Sequence, residues 1–267
     1  MKSRNSNIPV IFVAMSFYSL SKKQREEKYT SIKADILAGV RKNEVEPLIA
    51  YFSDEDAYIR KVGYLAVGKI YNEESSLEKK LTDLLKKLLK EDHHHIRQTA
   101  INAAGEIGKK NFELVESFFD TGLFDEHHTV RNAVIGSIKK MGEKNPKPVL
   151  KWAKKYLHHP DKEVRREICH GIELRGRTHP QDILPLLKEL QHDKTARVHN
   201  TLVHVLGQIA YKKGCLEIVV ADLNSWENKV LANEAVEEII DVHERYKDFA
   251  ILSQQQAIQY IKKNFRQ

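Results

Sequence analysis

Apolar positions along this chain recur with a helical period, and one stretch shows the pattern whole. In Asp125–Gly142 (DEHHTVRNAVIGSIKKMG) an acidic residue opens a short polar turn, and Val130 and Arg131 follow. Val134, Ile135 and Ile138 lie three, four and seven places past the arginine, which is one stripe of an α-helix. Lys139, Lys140 and Gly142 end the unit, as cations and glycine often end a helix. The unit returns at Asp54…Gly68, Asp92…Gly105, Asp161…Gly176 and Asp193…Gly207, anchored on Arg60, Arg97, Arg131, Arg165 and His199 at spacings of 37, 34, 34 and 34. Such a period marks an array of stacked helical units.

The columns agree from unit to unit. Three places past the anchor stand Gly63, Ala100, Val134, Ile168 and Leu202; seven places past stand Val67, Ala104, Ile138, Ile172 and Leu206. Each of these helices needs a partner for its apolar stripe. The pattern supplies outer helices at Val45–Phe52, Leu77–Lys90, Phe112–Phe119, Pro148–Leu157, Ile183–Leu190 and Leu216–Leu223, with Lys229–Tyr246 as the last inner helix. Ser21–Val40 and Ser253–Phe265 read as capping helices, each opened by a serine. The fold expected is all-α: a right-handed α-solenoid of about six helical repeats with N- and C-terminal caps. Residues 1–20 read as a disordered or mis-called lead, with a short apolar run that loosely imitates a signal peptide, and 21–267 as a single repeat domain.

The motif D-x(3–5)-[VI]-R-x(2)-[AVI]-x(3)-[AIV]-G, running roughly from Asp54 to Ala210, resembles HEAT and HEAT-like repeats. The stretch Val164–Leu187 (VRREICHGIELRGRTHPQDILPLL), with Val198–Lys213 (VHNTLVHVLGQIAYKK), is also similar to the bacterial HEAT-like DNA alkylation repair glycosylases. The resemblance implies inner helices lining a concave face that holds a partner. It implies a basic residue at Arg166 and an aromatic position at His204. It also implies a carboxylate near Asn132 or Gly136, where neither residue can serve as one. No catalytic residue is therefore assigned, and no cofactor.

The anchor arginines Arg60, Arg97, Arg131 and Arg165 read as structural. Each sits in the first turn of its helix, where its charge opposes the dipole, so a carboxylate of its own or the adjacent turn should pair with it as one rung of a ladder. His199 breaks this column, and Arg197 stands in as its substitute. The aspartates before the arginines read as N-caps.

Charge adds a binding hypothesis. Against 37 acidic residues stand 44 basic ones, a net +7 that permits a polyanionic partner without demanding one. Basic pairs recur at the ends of successive inner helices: Lys109-Lys110, Lys139-Lys140, Arg175 with Arg177, and Lys212-Lys213. They make a row along one rim suited to the phosphates of double-stranded DNA, while Arg166 and His204, one and five places past their anchors, should line the concave face. The alternatives are a protein partner on the concave face, and an active alkylpurine glycosylase. Histidines at His93–His95, His127-His128, His158-His159 and His192 precede inner helices. A metal needs three or four converging ligands, whereas the sequence shows a row, so these read as solvated turn residues and no metal is assigned. Two cysteines far apart, Cys169 and Cys215, make no disulfide framework and favour a reducing, cytoplasmic location. No apolar run is long enough for a membrane span, and a monomer is expected.

Overall fold

The computed structural model describes residues 17–266, so most of the lead segment, residues 1–16, lies outside the described residues. Among the described residues there are helices and turns and no strand. The inner layer comprises α3 (Ala57–Glu73), α5 (His94–Gly108), α7 (His128–Lys144), α9 (Lys162–Gly171) continued by the short α10 (Glu173–Gly176), α12 (Ala196–Gln208) and α14 (Lys229–Arg245). The outer layer comprises α2 (Glu46–Phe52), α4 (Glu78–Leu88), α6 (Glu116–Gly122), α8 (Pro146–Tyr156), α11 (Leu184–Glu189) and α13 (Cys215–Leu223). The first helix, α1 (Lys22–Lys42), packs on α2 and α3, and the last, α15 (Gln254–Asn264), on α13 and α14. Both terminal helices open with a complete capping box, Ser21 with Gln24 and Ser253 with Gln256.

Each inner helix packs along the next, while outer helices touch their outer neighbours sparsely. The inner layer is thus the tighter one, and a tight layer beside a loose one curves the array toward the inner helices. The predicted stripe forms the core between the layers: of the positions three, four and seven past the anchors, only Tyr64 and Val203 are not buried. One continuous hydrophobic cluster runs from Ile32 to Ile261. Trp152 and Trp226, on or just after outer helices, are core residues whose indole N–H groups donate to Asp120 and Asp222. At the N-terminal end, Phe17–Ser19 form a 3-10 turn tied to the first repeat by a Phe17 N–H to Asp56 Oδ2 bond of 2.8 Å.

Two local expectations change. Gly68 and Gly105 do not end their helices, which run on to Glu73 and Gly108, whereas Gly207 stands one residue before the end of α12. They sit eight places past their anchors, at the seam between neighbouring inner helices. A Cβ on Gly68 would lie 2.6 Å from Glu106 Cβ, and one on Gly105 2.6 Å from Ser137 Oγ. These glycines let the inner helices approach closely. Asp161 caps α9 as expected, and the other four caps shift by one or two residues, to Asp56, His93, His127 and Thr195. At His93 and His127 the imidazole Nδ1 takes the capping N–H. Asp54, Asp125 and Asp193 instead brace the turn, each accepting the backbone N–H two residues on.

Candidate functional site

All four anchor arginines do one thing in common. The Nη1 of Arg60, Arg97, Arg131 and Arg165 donates to the carbonyls six and five residues earlier, in the turn that follows the outer helix. Those carbonyls would otherwise lack partners, so the arginine closes the turn between the helices of its own unit. The carboxylate ladder has only two full rungs. Arg97 grips Asp125 through Nε at 2.8 Å and Nη2 at 3.0 Å, and Arg165 grips Asp193 at 2.6 and 3.2 Å. At the matching place for Arg131 stands His159, and Arg131 has only Glu167 at 3.7 Å. Arg60 makes no carboxylate pair among the described residues. Arg197 does not fill the gap left by His199; it reaches back to Glu163 at 2.6 Å, while His199 pairs with Glu234.

The column eight past the anchors is glycine in three units and charged in the other two, with Lys139 and Glu173. There the inner helix itself breaks at Ile172, between α9 and α10, and Glu173 turns into the seam with its side chain 2% exposed. Its carboxylate receives Lys139 Nζ and His170 Nε2, each at 3.1 Å, and Arg177 Nη2 at 2.5 Å. Burial acts to raise the Glu173 pKa. The His170 hydrogen bond and the charges of Lys139 and Arg177 outweigh it and hold the carboxyl down at about 2. Arg177 also donates to Gln208 Oε1 at 2.9 Å, so the cluster joins α7, α9, α10 and α12.

Of the ten residues expected to face a nucleic acid, the structure neutralises most. Lys109 pairs with Glu106, Lys139 and Arg177 with Glu173, Arg166 with Glu163 and Glu167, Arg175 with Asp182, and His204 lies 3.6 Å from Glu238. Lys110, Lys140, Lys212 and Lys213 make no ion pair among the described residues. Three of these lie over aromatic rings: Lys110 over Tyr71, Lys140 over Tyr64, and Lys212 over Tyr211 and Phe249.

An open cleft of about 250 Å³ between α3 and α5 is lined by Arg60, Lys61, Tyr64, Gln98 and Asn102 among others, and Lys140 lies over the ring of Tyr64. Nearby in the next unit Asn132 is exposed, and a Cβ on Gly136 would meet nothing within 4 Å. Lys140 itself is exposed. The protein around it still lowers its ammonium pKa by desolvation; Glu106 opposes the shift, and Lys109 and Lys61 add to it. Lys61, Gln98 and Asn102 were missed as site residues, although Lys61 stands one place past its anchor, in the column that singled out Arg166.

The chain folds as a HEAT-like repeat solenoid. AlkD2 from Streptococcus mutans is similar in fold, with a TM-score of 0.53 at 16% identity over 72% of this chain and 96% of that one. An archaeal HEAT-like repeats protein from Thermococcus onnurineus NA1 aligns at 16% identity over 84% of this chain and 98% of that one, with a TM-score of 0.39. The family model described as Cnd1, non-SMC mitotic condensation complex subunit 1, matches residues 37–122, less than half of the chain. No curated protein matches.

Two groups of side chains bring metal-ligating atoms together, which the sequence read only as a row. In His170, Glu173 and His204 the place of a cation is already taken: Lys139 Nζ lies 2.8 Å from His170 Nε2 and 3.1 Å from Glu173. The other group, Glu55, His93 and His95, has no lysine in it. Around it the histidine turns touch, with the His94 and His127 rings stacked at 3.8 Å. Among the described residues no helix is long and apolar enough to cross a membrane.

Proposed function

We infer that this chain binds the backbone of duplex DNA along its inner-helix face and the rim where those helices end, with Lys61 and Lys140 on the helices and Lys110, Lys212 and Lys213 in the turns after them as the phosphate contacts. The observation that carries the reading is Lys140. Its ammonium sits with two further lysines nearby, loses part of its hydration, and has no carboxylate partner among the described residues. A phosphate supplies the missing anion, and phosphate contacts supply most of the affinity in such complexes. Tyr64 and the amides of Gln98 and Asn102 give the cleft floor polar edges.

No base-excision step is assigned. The carboxylate that the glycosylase resemblance calls for would stand near Asn132 or Gly136; of the buried acids among the described residues, Glu173 is engaged by Lys139, Arg177 and the His170 imidazole, and Glu167 lies against Arg166 and Arg131. The competing occupant is a protein. The six expected contacts that already carry carboxylate partners make a surface of mixed charge, which suits a protein partner better than a polyanion. Fluorescence anisotropy with a labelled duplex, at several salt concentrations, tests the reading. Binding that weakens steeply with salt supports it, and no binding at low salt removes it. Release of free base from an alkylated duplex would add the catalytic step.

A further inference from the structure

The turns before α3 and α5 bring together one carboxylate and two imidazoles. One ligand atom from each of Glu55, His93 and His95 lies within 4.8 Å of the others. Ligands of a tetrahedral zinc, each at about 2.0–2.1 Å from the ion, stand roughly 3.3 Å apart. The three atoms therefore need to close by an ångström or so. Glu55 and His93 are exposed and can swing inward, while His95 is partly buried on the first turn of α5.

We propose that Glu55, His93 and His95 form a divalent-metal site of the zinc class that ties the turn before α3 to the turn before α5.

Three features of the cluster support this. First, Glu55 has no ion pair among the described residues, although one of its carboxylate oxygens lies within 4.8 Å of a ring nitrogen of each histidine. Second, His95 keeps a buried Nδ1 without a hydrogen-bond partner, an expense that a helix-start histidine on open surface would not carry. Third, the neighbouring guanidiniums are already engaged: Arg60 by two carbonyls, and Arg97 by two carbonyls and Asp125. Two imidazoles and a carboxylate are a donor set that zinc accepts, with water completing the shell.

Binding has one identifiable cost. His93 Nδ1 accepts the His95 N–H at a long 3.3 Å. A metal-bound neutral imidazole has no second lone pair to accept with, so ligation by either nitrogen gives up that cap. Losing one long bond is a small penalty beside three metal–ligand bonds.

The test is isothermal titration of ZnCl2 into the chain without a polyhistidine tag, with the visible absorption of a Co2+ complex as a second reading. One equivalent should bind, the Co2+ band should be that of a tetrahedral centre, and the melting temperature should rise with zinc. Glu55→Gln, His93→Ala and His95→Ala should each weaken binding by more than about tenfold, while His170→Ala and His128→Ala leave it unchanged. Glu55 is exposed and caps no helix, so Glu55→Gln should melt like the parent without metal, whereas His93→Ala and His95→Ala are compared with the parent by metal binding alone. The absence of saturable binding overturns the proposal. So does binding that survives the Glu55, His93 and His95 changes.

Discussion

Lys139 and Glu173 stand in the same column of successive repeats, eight places past Arg131 and Arg165, and meet at 3.1 Å. In the other units that column is glycine, and the inner helices close over it. In the middle of the array an ion pair fills the seam instead. Lys139→Ala removes one of the three nitrogen groups that meet a buried carboxylate. It should cost about 1–3 kcal/mol, less than breaking an isolated buried pair, because His170 and Arg177 remain. Lys140→Ala, next in sequence and exposed, should change stability by less than about 0.5 kcal/mol. Urea denaturation of the two variants checks the contrast.

The same carboxylate sets an acid limb of stability. The folded pKa of Glu173 lies near 2, below its ordinary 4.5. A depressed folded pKa means that the unfolded chain takes up the proton first. The stabilisation is then complete above about pH 4.5 and is lost as pH falls from there toward 2. A shift of this size corresponds to about 3 kcal/mol at neutral pH. Glu173→Gln should lower stability at pH 7 and flatten the dependence between pH 5 and 2, as read from melting temperatures across that range.

Glu167 should behave in the opposite sense. Burial pushes its carboxyl above the ordinary range, because Arg166 at 3.4 Å and Arg131 at 3.7 Å are too distant to offset it, and its Oε2 is buried without a partner. With the folded pKa raised, its contribution is fully present below the unfolded value and declines as pH rises through the folded one. Glu167→Gln should therefore leave the neutral-pH melting temperature unchanged or raise it. A large drop would show that the two arginines hold the carboxylate more tightly than their distances imply.

The anchor arginines should not be equivalent. Arg97 is 9% exposed and holds Asp125, itself 12% exposed. Arg97→Ala strands that carboxylate and two turn carbonyls and should cost about 3–5 kcal/mol. Arg60 holds carbonyls alone, and Arg60→Ala should cost about 1–2 kcal/mol. Equal losses in denaturant titrations would mean that the shared carbonyl bonds, and not the carboxylate rung, carry the role.

The repeat was legible in the sequence because its period and its apolar columns are local, and every unit restates them. Val134, Ile138, Leu202 and Leu206 are buried where the spacing put them. The pairing of charges was not legible. Whether Arg177 or Arg175 faces a ligand depends on Glu173 and Asp182, whose positions follow from a helix break at Ile172 that no single residue announces. Glycines read as helix stops turned out to be contact points, because a sequence shows a missing side chain without showing the neighbouring helix that needs the space. The convergence of Glu55 with His93 and His95 likewise crosses two units, and only their stacking reveals it.

The central claim is that unpaired lysines on the inner helices and the turns that end them meet DNA phosphates, and the salt dependence of duplex binding tests it most directly. Four to five contacts from Lys61, Lys110, Lys140, Lys212 and Lys213 should give a log–log slope of about −4, at about −0.9 per phosphate. Lys140→Ala should flatten the slope by about one unit and weaken all duplex sequences alike, whereas Arg175→Ala, whose charge Asp182 neutralises, should leave it unchanged. No duplex binding near about 50 mM salt, or a slope indifferent to Lys140, would contradict the account and leave a protein as the occupant of this face.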